Sequence, residues 1–177
     1  MKIFLTAVIT AALLLSESAA SPKEEALQMV KTHLAESLSL LQEDADKNID
    51  LSLEALSQAY KAGTYGGHQD TEAVRKRLID AGSVLKTEIA TLRKEANSSA
   101  ANPAALLVNL SKQQATSLKI TRWLYRVGGM TDLALASSKG GDRLGSQFVT
   151  RTIETHETFQ DTTEVAIQLI ATRVLGP

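Results

Sequence analysis

Apolar residues recur every three or four positions along most of the chain, which is the spacing of one face of an α-helix. The first tract opens with Ser21, Pro22 and Glu24, an N-cap, a first-turn proline and an acidic first-turn residue. Its predicted apolar face comprises Leu27, Val30, Leu34, Leu38, Leu41, Ala45, Ile49, Leu53, Leu56 and Tyr60. The pattern predicts one long helix, or two helices joined near residues 46–50.

Three further tracts repeat the helical spacing. The second begins with Asp70 or Thr71 as its cap and continues to Ala96, and the third opens at Asn102–Pro103 and continues to Val127. A short piece over 131–138 precedes the last tract, 144–174. Glycines cluster between the tracts, at 63–67, 128–129 and 140–141. We therefore predict an all-α fold, an antiparallel bundle of about four long amphipathic helices in a single domain, residues 21–177.

The first residues have the layout of a secretory signal peptide. Lys2 precedes an apolar run from Ile3 to Leu15, and small residues follow at Ser18 and Ala20. This run is well short of the roughly 20 residues that a helix needs to cross a bilayer. We expect cleavage after Ala20, so that residues 1–20 are removed and the mature protein is secreted without a membrane anchor.

Composition narrows the possible functions. The chain has 44% hydrophobic and 22% charged residues, and its 19 basic and 20 acidic residues leave a net charge of −1. These values are typical of a globular domain and provide no overall field that would attract nucleic acid. There is no cysteine, which excludes disulfides, a thiol nucleophile and thiolate metal sites. A secreted domain of this kind must be stabilised by packing alone.

Two segments resemble metal-binding motifs, and both are incomplete. The carboxylates that begin at Asp44 resemble the first half of an EF-hand loop, but Ile49 replaces the turn glycine and Ala55 the bidentate glutamate. His156 and Glu157 resemble the start of a zinc-protease helix, but Gln160 replaces the second histidine. We therefore expect no metal, no cofactor and no catalytic motif. Asp44 is expected on a solvated polar face, where a carboxylate lacks the desolvation that acid–base chemistry uses.

One local cluster favours an interaction surface. Arg122, Trp123, Tyr125 and Arg126 combine the only tryptophan with a tyrosine and two arginines, residue types that are enriched at interfaces. In the alternative interpretation they form a helix C-terminus, with the cations complementing the helix dipole and Trp123 anchoring the core. If the bundle instead carries an apolar ligand, Trp123, Phe148 and Phe159 are the candidate lining residues.

Two sequons are candidate N-glycosylation sites in a secreted chain, Asn97 and Asn109. Asn97 falls in a predicted loop, whereas Asn109 lies close to the predicted apolar face. Asn97 is therefore the better candidate acceptor.

The leading hypothesis is a secreted, non-enzymatic helical protein that acts by binding, either to a protein partner or to a small apolar ligand or lipid surface. An alternative is an enzyme whose site is assembled in three dimensions around His156, with Glu154 or Glu157 as its carboxylate. Against this alternative, the predicted inward positions are nearly all apolar. A third hypothesis is a secreted effector, salivary or reproductive protein that acts on a host or mate protein.

Overall fold

The structure, a computed structural model, describes residues 21–62, 69–99, 102–137 and 144–176. The predicted signal peptide and the first and third glycine clusters therefore lie outside the described residues. Within these ranges the chain is helical almost throughout and contains no strand. The predicted all-α class is confirmed.

The first tract forms two α-helices that are joined without a break by a π-helical turn. Helix α1 (Pro22–Glu43) leads into a π-helical turn (Asp44–Asn48) and then into α2 (Ile49–Ala62). Backbone angles stay right-handed at both junctions, so the path does not break. The predicted N-cap is present, and it forms a capping box, since the Ser21 side chain accepts from the Glu24 backbone N–H and the Glu24 side chain accepts from the Ser21 N–H.

Helix α3 (Gln69–Ser99) extends through Asn97, so the loop predicted at this sequon is wrong. Helix α4 (Pro103–Ser137) is capped by Asn102, whose Oδ1 accepts from the backbone N–H of Ala104 at 3.0 Å. Helix α5 (Leu144–Leu169) continues into a π-helical segment (Ile170–Leu175).

The break predicted at Gly128–Gly129 is also wrong, because α4 passes through both residues. A Cβ atom at Gly128 would lie 3.2 Å from Cγ1 of Val149 on α5. The glycine therefore permits a close approach of two helices and does not mark a turn.

Helix α4 contacts α2, α3 and α5, and it runs antiparallel to α3 and α5. Ion pairs Lys112–Glu95 and Lys119–Glu88 show the reversed direction of α3 and α4. Two apolar clusters form the core. One joins the C-terminal part of α4 to α2, α3 and the start of α5, and the other joins the N-terminal parts of α1 and α4 to the end of α5. Along α4 and α5, buried polar side chains lie between the residues of the two clusters.

Candidate functional site

A fully buried histidine lies among the polar side chains between the two apolar clusters, which we call the polar layer. His156 on α5 places Nε2 2.6 Å from Oδ2 of Asp44 and Nδ1 2.8 Å from Oγ of Ser117 on α4. The three residues are 0%, 1% and 0% exposed, respectively. The arrangement thus links the π-helical turn between α1 and α2 to α4 and α5 through one imidazole ring.

Asp44 begins the π-helical turn and lies three residues after the buried Leu41, so it continues the inward face of α1. The apolar spacing favoured Ala45 as the inward residue, whereas the structure buries Asp44 and leaves Ala45 only partly buried. The second carboxylate oxygen of Asp44, Oδ1, accepts a hydrogen bond from Nδ2 of Asn48 at 3.0 Å. The expectation of a solvated Asp44 is therefore wrong, since both of its oxygens have protein partners.

Amides and hydroxyls extend the layer on both sides of His156. Gln160 Nε2 donates to Oγ1 of Thr121 at 2.9 Å and to Oγ of Ser117 at 3.4 Å. Ser37 on α1 donates to Oε1 of Gln113 on α4 at 2.7 Å. Among the described residues, every buried side-chain nitrogen and oxygen has a hydrogen-bond partner. The expectation of an almost wholly apolar interior is wrong, but the polar groups are satisfied as burial requires.

The same three residue types form the catalytic triad of many hydrolases, in which histidine activates serine and aspartate orients histidine. Catalysis also needs a substrate carbonyl beside the serine oxygen, and Ser117 is fully buried. Glu154 and Glu157, the carboxylates expected beside His156, are exposed instead. No spacing in the sequence indicated Asp44, which lies 112 residues from His156.

A second histidine lies near the first across an aromatic ring. His33 on α1 bonds through Nε2 to Oγ1 of Thr163 at 2.8 Å and stacks on Phe159 at 5.9 Å between ring centroids. The rings of Phe159 and His156 make an edge-to-face contact, with 6.4 Å between their centroids. Burial lowers the pKa of His33 below its usual value of 6.5, because the charged ring would lose hydration.

The predicted interaction cluster is divided between the core and the surface. Trp123 is 4% exposed, its Nε1 donates to the Leu78 carbonyl at 2.8 Å, and its ring packs on Gly82. Arg122, Tyr125 and Arg126 are exposed. The Tyr125 hydroxyl donates to Oε1 of Glu157 at 2.6 Å, and this hydrogen bond raises the pKa of Tyr125.

The three predicted ligand-lining aromatics do not share one location. Trp123 packs against α3, and Phe148 is a partly buried neighbour of the same apolar cluster. Phe159 is buried between the two histidines.

Of the two sequons, Asn109 is 3% exposed and its Oδ1 accepts from Nε2 of Gln113. Asn97 lies in α3, with its side chain outside the description.

The part of the chain that the structure describes contains no cluster of three or more histidine, aspartate or glutamate residues placed to hold a metal ion. None of its helices is both long and apolar enough to cross a membrane. No protein-family model, curated protein or solved structure matches the chain.

Proposed function

We propose that this chain is a secreted helical protein that binds a protein partner through the exposed face of α4. Residues 1–20 are the cleaved signal peptide in this proposal, and residues 21–177 are the mature protein. The observation that carries it is the division of the predicted cluster, with Arg122, Tyr125 and Arg126 exposed above a buried Trp123. Tyrosine and arginine on a well-anchored helix are the residue types that dominate binding energy at interfaces.

The proposed cleavage site agrees with the local chemistry at Ser21. The Ser21 backbone nitrogen donates to Oε2 of Glu24 at 2.8 Å. Cleavage after Ala20 would convert this nitrogen to an ammonium group beside a carboxylate. Such a charge-assisted hydrogen bond is stronger than the neutral one and would keep the start of α1 ordered.

The burial pattern favours a protein partner over an apolar ligand or a reaction. Trp123 and Phe159 already pack within the bundle, and Ser117, His156 and Asp44 are covered on all sides. Either alternative would require the helices to separate. Docking on the α4 surface requires no such rearrangement.

Site-specific photo-crosslinking tests this function. We would incorporate p-benzoylphenylalanine in place of Tyr125 and irradiate the secreted protein in its native fluid. The control carries the same group in place of Ile79, which is 37% exposed on α3. We expect a discrete adduct only at position 125, displaced by excess unlabelled protein and lost in the Arg122→Glu variant. Equal labelling at both positions, or none, would overturn the proposal.

A further inference from the structure

A second row of regularly spaced residues runs along α4 on the side away from the core. Its members alternate by three and four residues, as the a and d positions of a coiled coil do. They are all exposed, and we call them the outer row: Val108, Ser111, Ala115, Leu118, Arg122, Tyr125 and Gly129. Exposure reaches 55% at Val108, 39% at Leu118 and 56% at Tyr125. The longest helix thus carries a face shaped for helix packing in addition to the face that packs in the core.

The edge of the outer row nearest α3 carries two ion-paired lysines and one exposed arginine. Lys112 and Lys119 lie on this edge and pair with Glu95 and Glu88 of α3, each at 2.7 Å. Arg126 follows at the same seven-residue interval and is exposed.

The edge nearest α5 is acidic. Glu154, Glu157, Asp161 and Glu164 are exposed and repeat at intervals of three and four residues. The hydrogen bond from Tyr125 to Glu157 shows that this line borders the outer row. The apolar positions therefore lie between an edge whose lysines are ion-paired and an edge that is acidic.

Arg122 interrupts the apolar positions and has no ion-pair partner in the described residues. A helix packed on the outer row would cover its guanidinium and remove part of its hydration. An apolar or basic residue opposite it would then leave the charge uncompensated, whereas a carboxylate would satisfy it with two parallel hydrogen bonds.

We propose that the outer row binds an amphipathic helix of a partner protein, with a carboxylate opposite Arg122 and basic residues opposite the α5 acids. This inference rests on the proposed function and specifies the partner's chemistry. The apolar positions supply the contact, and the two charged edges fix the register and exclude other helices.

A second copy of this chain fits the face less well. Two-fold pairing with the α4 helices parallel would bring the Arg122 side chains of both copies together. Antiparallel two-fold pairing would place the acidic edge of each copy against the acidic edge of the other. Like charges across an interface oppose association, so the charges favour a different protein.

Three synthetic helical peptides of about three heptads test the inference. They share leucines along one stripe and lysines on one flank, and they differ only in a central glutamate, glutamine or lysine within the stripe. Affinity is measured by fluorescence anisotropy against the mature protein, the Arg122→Glu variant and an Arg93→Glu control. Arg93 is exposed on α3, away from the outer row. Circular dichroism verifies that each variant is folded, and sedimentation velocity records self-association.

We expect the glutamate peptide to bind the mature protein roughly tenfold more tightly than the lysine peptide. Arg122→Glu should reverse this preference, and Arg93→Glu should leave it unchanged. Equal binding of all three peptides, no binding, or a dimer that Arg122→Glu strengthens would overturn the inference. A specific crosslink at position 125 without peptide discrimination would overturn the helical partner alone, whereas absence of that crosslink would overturn the proposed function as well.

Discussion

Replacing Asp44 with alanine should destabilise the fold far more than an ordinary surface substitution. The change removes the partner of His156 Nε2 and the acceptor of Asn48 Nδ2. Leaving one buried polar group unsatisfied costs about 1–3 kcal/mol, and Asp44→Ala removes the partner of two such groups. Asp44 and His156 are at most 1% exposed, so water cannot replace the lost contact without opening the bundle. We therefore expect a loss of about 2–6 kcal/mol.

Urea unfolding monitored by circular dichroism and by Trp123 fluorescence measures this loss. Trp123 is the only tryptophan and is buried in the larger apolar cluster, so its emission reports tertiary unfolding. Asp46→Ala is the matched control, because Asp46 is exposed in the same π-helical turn. We expect it to change stability by less than about 0.5 kcal/mol.

A double-mutant cycle separates the pair from the rest of the structure. His156→Leu alone leaves the Asp44 carboxylate buried without its ring partner, whereas Asp44→Ala with His156→Leu removes both groups. We expect the two changes together to cost about 2 kcal/mol less than the sum of the single changes. Equal effects of Asp44→Ala and Asp46→Ala, or strict additivity in the cycle, would refute the reasoning.

Two further predictions concern packing and pH. Gly82→Ala would place a Cβ 3.1 Å from Cζ2 of Trp123, so we expect a loss of about 1–3 kcal/mol by urea unfolding. Gly129→Ala meets nothing within 4 Å and should gain up to about 1 kcal/mol; equal effects at the two glycines would contradict this. Because the pKa of His33 is lowered by burial, the unfolded chain binds the proton more readily. Stability should therefore fall as the pH decreases below about 6.5. Thermal unfolding between pH 7.5 and 5 should show a smaller decrease in stability for His33→Gln than for the unsubstituted protein. An equal decrease in the two proteins would contradict the assignment of this pH dependence to His33.

The starts of α1 and α4 could be predicted because their signals are local, whereas α3 begins at Gln69, before the caps predicted at Asp70 or Thr71. Ser21, Pro22 and Glu24 form the predicted cap, and Asn102 caps α4 before Pro103. Local signals failed at Gly128, because a glycine can either mark a turn or permit two helices to pack closely. A glycine pair is typical of a turn, but here the missing side chain allows Val149 to approach α4.

The polar layer could not be predicted for a different reason. Hydrophobic spacing assigns each residue to a face by its own polarity, so Asp44 was expected outside the core. In the structure Asp44 and His156 are both buried. Their burial is tolerable only because each satisfies the other at 2.6 Å. The π-helical turn also contains one extra residue, so the inward-facing positions that follow it are shifted by one. A repeat of three and four residues cannot predict this shift.

The sequence by itself determined the all-α class, the starts of α1 and α4 and the amphipathic faces, because these depend on residues within a few positions of one another. Only the tertiary structure decided that Trp123 lies in the core while Tyr125 lies outside, and that Ser117 and Asp44 meet at one histidine ring. It also decided that α4 carries a second face bordered by the exposed acids of α5. These features depend on which helices become neighbours, and that choice is made by the packing of the whole chain.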